Sequence, residues 1–191
     1  MTGPRAGILG HDEISRRVSL KPGHKEHIGV IPLRGSLIMG ASLDVRLGHW
    51  FKIARRTRLK SLVAGDRKDR ALYALVGQER VFIGAESPPL LLHPGDFVLG
   101  CTLEFISLPA DVMAFVEGKS GLGRQGLLVA TATQVAPGFH GVIVLELANT
   151  GTVPLELAPG LEVAQLVLQT LVDPVSTKML YKSQFYCQTE P

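Results

Sequence analysis

Between Ser42 and Ile53 the chain reads SLDVRLGHWFKI, with Leu43, Val45 and Leu47 alternating against Ser42, Asp44 and Arg46. A period of two predicts a strand, and Gly48 is placed to bend or bulge it. From Leu90 the same logic repeats, because LLLHPGDFVLGCTLEFISLPADVMAFVEG alternates apolar runs with turn signals at residues 93–96 and 108–111. Residues 127–133, 141–149, 154–157 and 161–171 continue the series. Their turns are Ala136-Pro137-Gly138, Asn149-Thr150-Gly151 and Ala158-Pro159-Gly160. One early stretch differs: ILGHDEISRRV spaces Ile8, Ile14 and Val18 among charges, which predicts a short amphipathic helix with Asp12 as its N-cap. Residues 20–38 hold Pro22, Gly23, Gly29, Pro32 and Gly35, too many breakers for a helix, so short extended pieces are expected there. The whole pattern predicts an all-β sandwich or barrel with little helix.

Composition narrows the picture. With 191 residues and 46% hydrophobic content, the chain suits one core, and it is expected to be a single domain over residues 1–191. A net charge of +3 is too small to argue for nucleic acid. One run, residues 55–70, concentrates seven basic residues (Arg55, Arg56, Arg58, Lys60, Arg67, Lys68, Arg70); a solvated hairpin or loop is favoured over an anion site. Two distant cysteines, Cys101 and Cys187, suggest neither a disulfide framework nor a zinc cluster, which fits a reducing cytoplasm. No apolar leader or membrane-length run is present in the sequence, so a soluble, unprocessed protein is expected.

Candidate chemistry gathers between Glu117 and Asn149. Gly121-Leu122-Gly123-Arg124-Gln125-Gly126 matches G-x-G-x-x-G, but β-branched LLVATAT follows where a dinucleotide fold needs a helix. Gly118-Lys119-Ser120 resembles the end of a P-loop, yet Met113 stands where its first glycine belongs. What remains is a glycine turn with a hydroxyl at Ser120 and cations at Lys119 and Arg124. It reads either as a phosphate cradle built as a backbone nest or as a plain tight turn. Glu146 lies in the apolar run 142–148, on the strand face of Val142, Val144 and Ala148. It faces either solvent or a pocket, and in an apolar pocket its pKa would rise toward the range of a general base or acid. His11-Asp12-Glu13 lacks the P-C-x-x-C partner of zinc deaminases, and no H-E-x-x-H pairing occurs, so no protein-bound catalytic metal is expected.

Taken together, FVEGKSGLGRQGLLVATATQVAPGFHGVIVLELAN resembles the central motif of dCTP deaminases, which share a superfamily with trimeric dUTP pyrophosphatases. ASLDVRLG, HPGDFVLGCTLEFISLP, PLELAPGLEVAQL and ILGHDEISRRV resemble further elements of that family, so the likeness spans nearly the whole chain. It implies a distorted β-barrel (dUTPase-like, β-clip type) with a short N-terminal helix. It also implies a homotrimer with sites between subunits, and a nucleotide (dCTP, or dUTP or dTTP) bound with Mg2+ on its phosphates, without zinc. The implied reaction is hydrolysis of dCTP to dUTP and ammonia. Carried over residue by residue, Glu146 falls on the glutamate that activates the attacking water. Ser120 and the carbonyl of Ala132 fall on groups that hold this water, and Arg124 on the arginine beside them. Lys119, Gly121, Gln165 and Gln188 fall on or near phosphate-contacting positions, and Tyr181 on a tail aromatic; residues 181–191 read either as a disordered tail or as a flap that closes over a ligand.

The departures are specific. Lys119 replaces the family's usual arginine and Gly121 its second serine, which removes a bidentate fork and a hydroxyl. The stretch between Arg124 and Pro137 is one residue shorter than in many relatives. Ala136 stands ten residues before Glu146, where the superfamily generally carries an aspartate tied to triphosphate hydrolysis. In the tail, Gln184 stands where a lysine is common. Two other readings therefore stand beside deamination to dUTP: a dUTP pyrophosphatase or bifunctional dUMP-forming deaminase, against which Ala136 counts, and a catalytically weakened nucleotide sensor.

Overall fold

A computed structural model describes residues 6–54, 61, 63, 78–130, 133–176, 189 and 191. All seven basic residues of the 55–70 run lie outside the described residues, as do Ala132, Tyr181, Gln184, Cys187 and Gln188. The chain opens with β1 (Gly7–Ile8), α1 (His11–Ser19), β2 (Gly29–Ile31) and a single 3-10 turn at Gly35–Leu37. β3 (Ile38–Met39), β4 (Ser42–Arg46), β5 (Trp50–Ala54) and β6 (Gln78–Phe82) follow. β7 (Leu90–Leu92), β8 (Phe97–Cys101), β9 (Phe105–Ser107) and β10 (Val112–Gly118) lead into α2 (Ser120–Gly123). The rest is β11 (Leu127–Ala130), β12 (Gln134–Val135), β13 (His140–Gly141), β14 (Val144–Asn149), β15 (Leu155–Leu157) and β16 (Glu162–Thr170).

Two sheets carry the core. One orders its strands β12-β10-β16-β4-β3, with β1 added to β16, and the other β11-β14-β8-β5-β6. Every ladder among them is antiparallel, the longest running Val112–Gly118 against Ala164–Thr170. Inward residues of both sheets interlock, since Leu43, Val45, Leu47, Phe51, Leu145, Leu147, Val163 and Leu166 are all wholly buried. Each such side chain stabilises the fold by about 1.5–3 kcal/mol. The mainly β architecture and short N-terminal helix agree with the sequence. Among the described residues the strands form separate open sheets rather than one closed barrel. No helix among them is long and apolar enough to cross a membrane.

Local chemistry sets the element bounds. α1 begins at His11 behind an extended Gly10, so Asp12 sits in the first turn rather than at the N-cap. Ile8 is lost from the expected helix because it pairs with Gln169 across β1 and β16. Asp12 and Glu13 near the start and Arg16 and Arg17 near the end complement the helix dipole. β4 departs from simple alternation more instructively. All five of its residues are buried, because it lies inside the sheet and its polar face is covered as well as its apolar one.

Gly126 closes the turn into β11 with φ +101°, and an added Cβ would stand 2.6 Å from Gly151 Cα. Its carbonyl accepts hydrogen bonds from the Thr150 amide (2.8 Å) and hydroxyl (3.0 Å), so the two turns are locked together. Gly126→Ala is expected to destabilise the protein by about 1–3 kcal/mol, read as a lower urea midpoint at unchanged slope. An unchanged midpoint would mean that the 149–151 turn yields freely.

Candidate active site

The polar face of the first sheet forms the floor of an open cleft. Strand register brings Gln165 of β16 opposite Asp44 of β4 on one side and Glu117 of β10 on the other. Glu162 lies opposite Arg46, just before a register shift in β16. At the end of β10 the chain turns over this floor, and Lys119, Ser120 and Gly121 join Asp44, Glu162 and Gln165 around a space of ≈ 840 Å³. Met39, Leu122, Gly160 and Leu161 supply its apolar margin. Four residues that the sequence marked for phosphate or water, namely Lys119, Ser120, Gly121 and Gln165, thus meet in one place.

Lys119 is the electrostatic centre of the cleft. Its Nζ donates to Asp44 Oδ2 and to Glu162 Oε2, each at 2.6 Å. Partial burial pulls the ammonium pKa down, but the bonds to the two carboxylates outweigh it and hold the pKa above its ordinary value. The bond from Lys119 likewise lowers the pKa of Glu162. Beneath them Arg46 is tied down, its Nε donating to Glu104 Oε1 at 2.6 Å and its amide to Glu104 Oε2 at 2.8 Å. Glu104 is wholly buried, and Arg46 Nη2 is buried without a partner.

Of the two readings of the glycine turn, the described residues show a tight turn rather than a nest. Residues 120–123 make one helical turn, with the amides of Leu122 and Gly123 both donating to the Lys119 carbonyl at 3.0 Å. Nothing lies within 4 Å of a Cβ built on Gly121, so its open surroundings face the cleft. Ser120 is exposed at the start of this turn, and Arg124 is exposed at its C-cap, outside the cleft lining.

Glu146 sits elsewhere in this chain. It belongs to β14 in the second sheet, between Ala130 of β11 and Leu99 of β8, and its side chain faces outward while Leu145 and Leu147 fill the core. The described residues therefore place Glu146 on an exposed sheet face rather than in the cleft around Lys119. Ala136 is exposed in the turn after β12 (Gln134–Val135).

Sequence reading missed Asp44 and Glu162 as site residues. They lie 75 and 43 positions from Lys119, and only strand register brings them to it. Each carries one signal, since Asp44 lies in ASLDVRLG and Glu162 in PLELAPGLEVAQL, but neither stretch marks its carboxylate as a partner of Lys119.

Comparison with known proteins fits this geometry. A family model described as dCTP deaminase-like matches residues 8–171. A protein of Mycolicibacterium vanbaalenii named "dCTP deaminase, dUMP-forming" is 43% identical over 148 residues, covering 77% of this chain and 74% of the relative. One of the same name from Rhodococcus opacus is 43% identical over 145 residues, covering 75% and 73%. Among solved structures, 2'-deoxycytidine 5'-triphosphate deaminase from Agrobacterium tumefaciens aligns with a TM-score of 0.63 at 24% identity. That alignment covers 87% of this chain and 49% of the other, about half its length, and speaks to the fold. A match that takes in α1, both core sheets and the cleft around Lys119 leaves one assignment: the chain belongs to the dCTP deaminase-like family.

Proposed function

We propose that this protein hydrolyses the amine of dCTP, releasing ammonia and leaving dUTP. The observation that carries the reading is the meeting of Lys119, Ser120, Gly121 and Gln165 in one cleft. A triphosphate lies against Lys119 and the open backbone at Gly121, with Gln165 as an uncharged partner. The Ser120 hydroxyl and the carbonyl of Ala132 hold the attacking water, beside Arg124. Water adds to C4 of cytosine as the Glu146 carboxylate accepts one of its protons and passes it to N3. The second water proton passes by way of Glu146 from the new C4 hydroxyl to the amine, so that a carbonyl forms at C4 as the C4–N bond breaks and ammonia departs. Polar groups fixed before the reaction stabilise the charge that develops on the way.

Glu146 meets the cleft of a neighbouring copy in a homotrimer. This arrangement is supported by its exposed position on the second sheet, away from Lys119 in its own chain. Mg2+ rides on the substrate phosphates, where it neutralises charge. Among the described residues no three His, Cys, Asp or Glu side chains are grouped to hold a metal, and the two cleft carboxylates are engaged by Lys119. The tail, residues 181–191 with Tyr181 and Gln188, closes over the bound nucleotide, and the protein works in the cytoplasm.

A second reading has its own support: the curated relatives at 43% identity are named dUMP-forming. Ala136 weighs on the other side, since a methyl group cannot activate water for triphosphate hydrolysis. Chromatography of dCTP incubated with protein and Mg2+ separates the readings. Ammonia with dUTP is the expected result, dUMP and pyrophosphate would establish the second reading, and unchanged dCTP at high protein concentration would refute deamination.

A further inference from the structure

We propose that Glu162 is a specificity-determining residue, holding the Lys119 ammonium back from a bare polyphosphate so that the cleft selects the cation-complexed form. The inference rests on reading the cleft as a phosphate site.

An ammonium has three N–H donors, and two of those on Lys119 are engaged by Asp44 and Glu162. The three groups together carry one net negative charge, so an arriving polyphosphate meets a neutralised cation flanked by carboxylates. The two carboxylates are not equivalent. The Asp44 side chain is 9% exposed and the Glu162 side chain 47%, which makes Asp44 the fixed partner and Glu162 the one that reaches in from solvent. Arg46, opposite Glu162 in the ladder, attracts it more weakly than Lys119 does, and the charge of Arg46 is matched by that of Glu104. Like charges set a few ångströms apart suppress binding strongly. With a divalent cation on the phosphates, the same carboxylate attracts the complex instead of repelling it. Glu162 thus converts a general anion site into one that discriminates by the charge of the complex.

Calorimetric titration of the full chain with dCTP, and separately with inorganic tripolyphosphate, tests this in Mg2+ and in EDTA. For the native protein, EDTA is expected to weaken both ligands by about tenfold or more. Glu162→Gln keeps the shape and removes the charge. Its binding in EDTA is expected to strengthen until the difference between the two conditions is about threefold or less, and Glu162→Asp should restore the native contrast. An equal EDTA penalty in the native protein and Glu162→Gln would overturn the inference, as would weaker binding by that variant in both conditions. If tripolyphosphate shows the Glu162 effect while dCTP is not turned over, the deaminase reading fails and this inference stands. If dCTP is deaminated and the metal dependence does not move, the inference alone fails.

Discussion

Glu146→Gln is expected to lower dCTP deamination by about 10³-fold, within the 10²–10⁴ range typical of a lost general acid–base group. The amide keeps the size of the carboxylate and its hydrogen-bonding outline but cannot accept the proton of the attacking water. Substrate binding should change little, because the proposed phosphate contacts lie at Lys119 and Gly121. The loss should therefore appear in kcat and kcat/KM alike. Stability should stay within about 0.5 kcal/mol of the native protein, since Glu146 is exposed and leaves the packing of Leu145 and Leu147 intact. Single-turnover product formation and a urea melt measure both quantities on the same sample. Turnover within a factor of two of native would return Glu146 to the status of a solvent-facing residue on a sheet.

Why the sequence left that residue ambiguous is clear from β14. A period of two told that Glu146, Val144 and Ala148 share a face, and the structure agrees. It could not tell what that face meets, because an alternating pattern records which residues share a side of a strand and not what lies against that side. The strands from Leu90 to Gly118 were legible for the opposite reason: their turns are local, written in His93-Pro94-Gly95-Asp96 and Leu108-Pro109-Ala110-Asp111, and the observed breaks fall at both. Local signals also misplaced the start of α1, where pairing of Ile8 with β16 overrides an amphipathic pattern. The glycine turn offered a second conflict. Glycines free to adopt a nest instead wound into a helical turn on the Lys119 carbonyl.

The cleft shows the same division. Lys119, Ser120, Gly121 and Gln165 sit in recognisable motifs, so the resemblance alone names them. Asp44 and Glu162, which set the charge of Lys119, became visible only through the pairing of β4 with β16 and the turn of chain after β10. A lysine in place of an arginine reads from the sequence as a phosphate grip without its bidentate fork. Between two carboxylates it is better described as a restrained one.

The largest stability effect is expected at the buried pair of Arg46 and Glu104. Glu104→Ala should destabilise the protein by about 3–5 kcal/mol, the range found when one partner of a buried ion pair is removed. Glu104 is wholly buried and receives both the side chain and the amide of Arg46, while its own carbonyl accepts the Thr102 hydroxyl at 2.8 Å. Truncation leaves the Arg46 guanidinium buried with no carboxylate, in a site that already holds one unpartnered donor at Nη2. Against a typical total stability of about 5–15 kcal/mol, such a loss shifts the urea midpoint far enough to measure directly. The double variant Arg46→Met with Glu104→Leu separates the cause. If the damage comes from an uncompensated charge, the double variant should recover most of the loss, because paired apolar replacements of buried ion pairs are often neutral or stabilising. A double variant as unstable as Glu104→Ala would instead show that the fold needs the hydrogen bond from the Arg46 amide, the one contact of the pair that no side-chain replacement at position 46 can restore.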